Sequence, residues 1–306
     1  MQIIFTPTVT ASRGYHIERF PTREAWLRAR RDGIGSSEVG AIAGVNPYDS
    51  PLTVWKRHRE GGEGGKAETR LMMMGHYLEP MAAQLFADLT GNYVDKESEG
   101  DWLAVDDKMP WLRTSPDRIW WPAEIPEQER TADNARILEC KSVGEDIEAG
   151  NVPRHWFCQV QYQMGVMRLK EACIVWLNRT NGNCGFIYVS FNANLWETMK
   201  GWLTGFWKEN ILGGKRPEIS CGSDAQTIWG RQKETPCKVV ADEDIMERIL
   251  RWHETERIRE DTSGAVKMAL REAGELVDSR GNTLATWKAG KDGVRRLRIV
   301  GKKTDV

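Results

Sequence analysis

The chain has 306 residues, with 43 Lys and Arg against 44 Asp and Glu, and a formal net charge of −1. Because 40% of the residues are hydrophobic and 28% are charged, the composition excludes a disordered acidic or basic tail and predicts a folded core. The balanced charge also argues against a protein that coats nucleic acid through a general positive excess, although it leaves room for a local basic patch.

The compartment signals favour a cytoplasmic protein without a membrane segment. The first residues lack the basic region and long apolar stretch of a signal peptide, and no apolar run approaches the roughly 18 to 20 residues of a membrane span. The six Cys residues have no CxxC spacing, which disfavours zinc and iron–sulfur sites. We therefore expect reduced, mostly buried thiols.

The first third of the chain is predicted to be mainly helical. Thr22 is a suitable N-cap, the pair Ser50-Pro51 is a typical helix start, and Gly91 is a typical helix stop. A turn of small residues, Gly33–Glu38, precedes an apolar run. The predicted helices are Thr22–Arg31, Val39–Ala43, Ser50 to about Glu60, and Leu71–Leu89, with a flexible loop at Gly61–Gly65.

The middle of the chain alternates between strand and helix patterns. Asn181-Gly182 is a strong hairpin signal between two of the strands, and Pro122–Asp133 is predicted to be a loop. The predicted strands are Asp101–Val105, Trp111–Trp121, Arg136–Lys141, Ala172–Asn178 and Phe186–Phe191, and the predicted helices are Pro153–Leu169 and Asn194–Ile211.

The last part has a different character. Glu218–Pro236 is irregular, Asp242 to about Glu272 is a long charged helix, and Leu284–Ile299 is a hairpin. We expect a mixed α/β fold in which helices flank a mixed sheet. The division is placed after residue 216, with a core at 1–216 and a C-terminal extension at 217–306 that packs on the core or on a neighbouring subunit.

Two short segments carry the most chemical information, Ser115-Pro116-Asp117 and, 22 residues after Asp117, Glu139-Cys140-Lys141. Alternate residues of a strand share a face, so Glu139 and Lys141 point the same way. Two carboxylates and a backbone carbonyl form an all-oxygen site suited to Mg²⁺ or Mn²⁺. Taken alone, however, a Glu-x-Lys pattern is more often an exposed ion pair than a site.

Five segments in order resemble the PD-(D/E)xK nuclease superfamily, and within it the phage lambda exonuclease family with its YqaJ-type viral recombinase relatives. The resemblance covers about residues 20 to 180, and the terminal 286–288 segment is a weaker match. The matching segments are Gly33–Glu38, Gly75–Pro80, Leu112–Asp117, Leu138–Lys141 and Gln159–Tyr162. The resemblance implies a restriction-endonuclease-like core.

The resemblance also implies a role for each matching residue of the chemical centre. Asp117, Glu139 and the Cys140 carbonyl would bind Mg²⁺, or Mn²⁺ in its place, in a two-metal site. Lys141 would position the attacking water. Glu79 would add an acidic outer contact to the metal site, and Gln159 would orient the nucleophile or the substrate.

A second set of residues is implied to hold the 5′ phosphate of a DNA end. Ser37, with Ser36 beside it, would contact the phosphate, and Arg30 or Arg31 would supply the charge; the spacing to Ser37 favours Arg30. Small residues around Gly35 let backbone amides approach an anion, and the N-terminus of the following helix adds partial positive charge. An ordinary capped helix is the alternative explanation for this segment.

The implied activity is Mg²⁺-dependent 5′-to-3′ exonuclease action on double-stranded DNA ends, which releases 5′-mononucleotides and leaves a 3′ single strand. The resemblance also implies a homotrimeric ring around DNA, a single-strand annealing protein as partner, and a role in phage or prophage recombination in a bacterial cytoplasm. Two alternatives stay open: a restriction-like or structure-specific endonuclease of the same superfamily, and a non-catalytic DNA-binding recombination protein.

The near-zero net charge is the sum of a basic C-terminal segment and an acidic remainder of the chain. Lys288–Val306 contains seven Lys and Arg against two Asp, a net charge of +5, while the other 287 residues carry a net charge of −6. Cations bound at the proposed metal site would offset part of that acidity. The basic tail is therefore a candidate DNA contact.

Overall fold

The computed structural model describes residues 13–59, 70–95, 101–148, 150–220, 224, 242–270, 273–277, 283–289 and 295–299. The predicted loop Gly61–Gly65, most of the irregular segment Glu218–Pro236 and the last seven residues of the basic tail lie outside these ranges. The chain divides into two compact units, Met1–Arg231 and Gln232–Val306. The division proposed after residue 216 remains a prediction.

The described residues form seven α-helices and twelve strands. The helices are α1 (Arg23–Arg30), α2 (Ser36–Ile42), α3 (Pro51–Arg59), α4 (Arg70–Thr90), α5 (Arg154–Met167), α6 (Ala193–Gly205) and α7 (Glu243–Leu270). The strands are β1 (Tyr15–Arg19), β2 (Ile34–Gly35), β3 (Tyr93–Val94), β4 (Trp102–Asp106), β5 (Leu112–Thr114), β6 (Arg118–Trp121), β7 (Arg136–Val143), β8 (Glu171–Asn178), β9 (Cys184–Ser190), β10 (Glu275–Val277), β11 (Thr283–Ala289) and β12 (Arg295–Ile299).

A five-stranded mixed sheet lies at the centre of the first unit, in the order β3-β6-β7-β8-β9. β7 and β8 are parallel and the other pairs are antiparallel. A parallel pair requires a crossover, and α5 lies between these two strands in sequence. The predicted mixed α/β fold, in which helices flank a mixed sheet, is confirmed.

The two faces of this sheet bury different helices. On one face, Ala82, Ala83 and Phe86 of α4 pack with Leu138 and Cys140 of β7. On the opposite face, the alternate residue Ile137 belongs to the larger core, which includes buried side chains of α5 and α6. Because Glu139 and Lys141 alternate with Cys140, they face the α5 side.

The predicted strand Trp111–Trp121 is wrong as a single element. It forms two strands in different sheets: β5 pairs with β4 and β2 in a four-stranded sheet of order β1-β4-β5-β2, whereas β6 pairs with β3 and β7. Pro116 lies between them, and a proline has no backbone N–H for a strand ladder. The chain therefore changes sheets at Ser115–Asp117. Strands β1, β2, β3 and β10 were not predicted.

Several local predictions are confirmed, and two need correction. Thr22 caps α1 by accepting from Ala25 N at 3.2 Å, α4 ends before Gly91, and Gly182 in the β8–β9 turn has a φ of +79°. The helix after the small-residue turn begins at Ser36 rather than Val39. The helix predicted at Asn194–Ile211 is α-helical to Gly205 and then π-helical over Phe206–Leu212.

In the second unit, α7 is followed by a three-stranded antiparallel sheet of order β10-β11-β12. The predicted C-terminal hairpin corresponds to β11 and β12. Lys288 lies opposite Arg296 and Thr286 lies opposite Arg298, so Lys288, Arg296 and Arg298 share one face of this sheet. All three side chains are exposed, and Lys288 forms an ion pair with Glu275 of β10.

The expectation of mostly buried thiols holds for two of the four described cysteines, since Cys158 and Cys184 are half-buried. Cys140, Cys158, Cys173 and Cys184 are free, and Cys140 and Cys173 are buried. Within the same part of the chain, no helix has the length and apolar character required to cross a membrane.

Candidate active site

The register between β6 and β7 brings the two predicted motifs together. Arg118 pairs with Leu138 in this antiparallel ladder, so Asp117 and Glu139, the next residues outward, lie side by side. Oδ2 of Asp117 accepts a 2.7 Å hydrogen bond from the backbone N–H of Cys140. Two segments separated by 22 residues in the sequence therefore meet where β6 begins, beside β7.

Glu139 is the centre of a buried polar network. Its side chain is almost fully buried, with a relative exposure of 2% for the residue. Oε1 accepts from Lys141 Nζ and from Gln159 Nε2, each at 2.6 Å, and Oε2 accepts from Gln163 Nε2 at 2.7 Å. Lys141 Nζ also donates to Gln159 Oε1 at 2.9 Å. The structure thus brings Glu139, Lys141 and Gln159 together.

The carboxylates of this cluster act on one another electrostatically. Burial raises the pKa of Asp117 well above its ordinary value, and the negative charges of Glu139 and Glu79 raise it further. For Lys141, burial acts to lower the pKa, but the negative charges of Glu139 and Asp117 outweigh it, so the pKa is raised. The carboxylates of Asp117, Glu139 and Glu79 thus outnumber the single ammonium group of Lys141.

Glu79 approaches the cluster from α4. Its Oε1 accepts a 2.6 Å hydrogen bond from Nη1 of Arg118, and the same Nη1 donates to the carbonyl of Asp117. Arg118 therefore ties Glu79 to the backbone beside Asp117. This contact holds the predicted outer carboxylate at the edge of the cluster.

The donor set fits a hard divalent cation. Asp117 and Glu139 offer carboxylate oxygens and Glu79 adds a third carboxylate nearby, and oxygen donors of this kind are preferred by Mg²⁺ and Mn²⁺. Burial is the largest cause of the raised pKa of Asp117, and the charges of Glu139 and Glu79 add to it; a bound cation would offset this added negative charge. Among the described residues, no three His, Cys, Asp or Glu side chains are already gathered as a metal centre.

The second predicted set lies on α1 and α2. Nη2 of Arg30 donates a 3.1 Å hydrogen bond to Oγ of Ser37, and the Arg30 guanidinium lies over the ring of Trp26. The exposed side chain of Arg31 does not line the cleft that holds Arg30, Ser37 and Asp117, although it shares a neighbouring pocket with Arg30 and Ser37. Of the two arginines, Arg30 is therefore the one that the structure joins to Ser37.

Glu38 supports the turn that carries Ser36 and Ser37. Its Oε2 accepts from the backbone N–H of Gly35 at 3.1 Å and lies 3.1 Å from His58 Nε2 on α3. Burial acts to raise the pKa of Glu38, but the hydrogen bond with His58 and the charge of Arg57 lower it below its ordinary value. The carboxylate thus holds the start of α2 against α3.

One cleft connects the two sets. It has a volume of about 300 Å³ and is lined by residues from both, among them Arg30, Ser37, Glu79, Asp117 and Gln159. Side chains from both predicted sets therefore line one cavity of the first unit.

Several residues of this site had no role assigned to them from the sequence. Arg118 ties Glu79 to Asp117, Gln163 binds Glu139, and Arg23 and Arg113 line the cleft. The spacing of Gln163 was a usable signal, because it follows Gln159 by four residues and so lies on the same helical face. The two lining arginines come from separate elements and had no such signal.

Comparisons with known proteins agree with the sequence resemblance. The family described as the YqaJ-like viral recombinase domain matches residues 25–170. The uncharacterized protein YqaJ of Bacillus subtilis is 23% identical over 211 residues, which are 67% of this chain and 61% of that protein. The chain therefore matches about six tenths of the length of this curated relative.

Among solved structures, the alkaline exonuclease LHK-Exo of Laribacter hongkongensis is 18% identical with a TM-score of 0.47, over 62% of this chain and 93% of that one. A complex of LHK-Exo with dAMP has a TM-score of 0.49 at 18% identity, over 63% and 96% of the two chains. A phage-related exonuclease of Haemophilus somnus has a TM-score of 0.40 at 11% identity, over 60% and 96%.

Proposed function

We propose, from the match of residues 25–170 to the family described as the YqaJ-like viral recombinase domain, that this protein is a metal-dependent exonuclease that degrades one strand of double-stranded DNA from its 5′ end. The products would be 5′-mononucleotides and a 3′ single-stranded tail. The observation that carries this proposal is the single cleft that joins Ser37 and Arg30 to Asp117, Glu79 and Gln159.

Asp117, Glu139 and the Cys140 carbonyl would hold Mg²⁺, or Mn²⁺ in its place, in a two-metal site with Glu79 as an outer contact. When bound, the cations would supply the positive charge that stabilises the scissile phosphate during phosphodiester hydrolysis. The grouping of three carboxylates supports this assignment, since the charges of Glu139 and Glu79 add to burial in raising the pKa of Asp117.

The protein's own residues would position the water and the phosphate. Lys141 donates from its ammonium group and lies between Glu139 and Gln159, so it can orient a water that enters the cluster and stabilise negative charge on the phosphate. Gln159 holds both partners through its amide, which fixes the direction in which the Lys141 Nζ points.

Ser37 and Arg30 would hold the terminal 5′ phosphate at the other end of the cleft. A hydroxyl and a guanidinium in mutual contact are a suitable pair for a phosphate, because Arg offers several donors in a fixed geometry. This anchor would set the 5′-to-3′ direction and limit each cut to the terminal linkage. The family resemblance adds a trimeric ring, a single-strand annealing partner and a role in phage recombination.

The test is digestion of linear and covalently closed duplex DNA by the full-length protein, with separate labels on the 5′ and 3′ ends. We expect Mg²⁺-dependent release of the 5′ label as a mononucleotide from linear DNA, while closed circles stay intact. Equal cutting of closed circles would instead support the endonuclease alternative. Absence of cutting, together with no Mn²⁺ binding by calorimetry, would support a non-catalytic DNA-binding protein.

A further inference from the structure

We propose that Gln163 is a positioning residue. It couples the binding of a 5′ phosphate at the Ser36–Ser37 turn to the position of the Glu139 carboxylate. The proposal rests on the proposed function, because it assigns a second task to the same cleft. The structural basis is one amide group placed between two elements that carry different parts of the site.

Gln163 lies on α5, one turn after Gln159, and is completely buried. Its Nε2 donates to Oε2 of Glu139 at 2.7 Å and contacts Oγ of Ser36 at 3.5 Å. Glu139 belongs to β7, whereas Ser36 begins α2. A single side chain of α5 therefore contacts the chemical centre on the sheet and the turn of the phosphate pocket.

The orientation of the Gln163 amide follows from Glu139. The opposite orientation would place Oε1 of Gln163 against a carboxylate oxygen, where two acceptors repel each other. In the observed orientation Oε1 is buried and has no hydrogen-bond partner. Leaving a buried acceptor unsatisfied costs free energy. The contacts of the NH₂ group with Glu139 and Ser36 therefore have to offset the cost of the unsatisfied Oε1.

The contacts form a continuous series from one end of the cleft to the other. Ser36 is adjacent to Ser37, Gln163 binds Oε2 of Glu139, and Lys141 binds Oε1 of the same carboxylate. A 5′ phosphate that repositions the turn at Ser36 would change the Gln163 contact, and through it the carboxylate that holds Lys141. The turnover number, as well as the affinity, would then differ between DNA ends with a 5′ phosphate and DNA ends without one.

The experiment replaces the amide while keeping its volume, as Gln163→Met, and compares 5′-phosphorylated with 5′-hydroxyl linear duplexes. Gln161→Met is the matched control, because Gln161 is also a buried amide of α5, and its hydrogen bonds are with Ser190 and Asn192. We expect Gln163→Met to lower kcat on phosphorylated ends roughly 10- to 100-fold, the cost of a lost hydrogen bond to a charged group, and to lower kcat on hydroxyl ends less. Gln161→Met should keep the wild-type ratio.

A measurement of DNA binding in the absence of turnover distinguishes two roles for Gln163: coupling of the pocket to Glu139, and structural support of the pocket alone. Fluorescence anisotropy in EDTA measures the preference of each variant for phosphorylated over hydroxyl duplex ends. We expect Gln163→Met to keep the wild-type binding preference, because Ser37 and Arg30 are intact, while its preference in kcat is lost. Loss of both preferences together would overturn the proposal and leave Gln163 as a structural support.

Ser36→Ala approaches the same contact from the other end and removes only a hydroxyl group. It should reduce the kcat preference, and in a double-mutant cycle its effect should largely disappear in the Gln163→Met background. Additive effects would overturn the coupling, and if Gln163→Met fails to fold, an unchanged kcat in Ser36→Ala would do the same. A wild-type enzyme indifferent to the 5′ phosphate would instead contradict the proposed function.

Discussion

The backbone N–H of Cys140 donates a 2.7 Å hydrogen bond to Oδ2 of Asp117. This contact fixes one carboxylate of the site to the strand that carries the other, so Asp117 cannot move independently of Glu139. The negative charges of Glu139 and Glu79 add to burial in raising the pKa of Asp117. A main-chain contact thus positions Asp117, whereas side-chain contacts position Glu79 and Glu139.

Lys141→Ala should abolish most turnover without unfolding the protein. The ammonium group donates to Glu139 and Gln159, and its loss removes the one cation bonded directly to Glu139. We expect digestion of linear duplex DNA to fall at least about 100-fold, in line with the loss of a charge-stabilising group. Lys170→Ala, at an exposed lysine of the same unit, should digest at the wild-type rate. Unchanged digestion by Lys141→Ala would remove Lys141 from the mechanism.

Arg30→Gln should remove the preference for 5′-phosphorylated ends. The guanidinium of Arg30 is bonded to Ser37 in the cleft, whereas the side chain of Arg31 lies outside it. We expect kcat/KM on phosphorylated ends to fall roughly 10- to 100-fold, the cost of a charged hydrogen bond, with a smaller change on hydroxyl ends. Arg31→Gln is the matched control, and equal effects of the two substitutions would show that the phosphate pocket is misassigned.

Glu38 should make the stability of the first unit depend on pH in the acidic range. Because its pKa is lowered in the folded state, its ionised form stabilises the fold above its unfolded pKa, and this contribution is lost as the pH falls through the folded pKa. Urea unfolding from about pH 5 to about pH 3, the range in which glutamates titrate, should show a shallower pH slope for Glu38→Gln than for wild type. The variant should also be less stable at neutral pH.

The control for this measurement is Glu24→Gln, which removes an exposed carboxylate from the first turn of α1. It corrects for the loss of one negative charge. Identical pH slopes for wild type and Glu38→Gln would mean that the contacts of Glu38 with Gly35 and His58 do not contribute to stability.

The basic face of the small sheet should contribute to DNA affinity through the phosphate backbone. Lys288, Arg296 and Arg298 are exposed on one face of β11 and β12. Each phosphate contact adds about 0.9 to the slope of log affinity against log salt, so replacing all three by Gln should reduce the slope by up to roughly 2.7. Fluorescence anisotropy of a labelled duplex at several salt concentrations measures it.

The matched control for this face replaces three exposed arginines of α7, Arg248, Arg251 and Arg257, by Gln. These side chains form ion pairs with acidic residues three or four positions before them on the same helix. The control has the same change in net charge as the test variant. Equal salt slopes for the two triple variants would mean that the charge acts without a specific contact.

The parts of the candidate site that depend on short-range periodicity could be predicted from the sequence, whereas the approach of Asp117 to Glu139 depends on the pairing of β6 with β7. The period of two in a strand places Glu139 and Lys141 on one face, and the period of the helix places Gln159 and Gln163 together. The division of Trp111–Trp121 was not predictable from its own pattern, since both halves have the composition of strands and only their partners in different sheets distinguish them. The contact between Gln163 and Ser36 depends on how α5 packs against α2, which the spacing of apolar residues does not specify.

The switch of sheets at Ser115–Asp117 restricts how this cleft can vary. Thr114 is fixed by its ladder with Ala104, and Arg118 is fixed by its ladder with Leu138, so only three residues bridge two independently anchored strands. An insertion or deletion there would rotate Asp117 away from Glu139 or break one of the ladders. At this bridge only side-chain replacements can alter the cleft and leave Asp117 beside Glu139, because the length of the bridge is set by the two ladders.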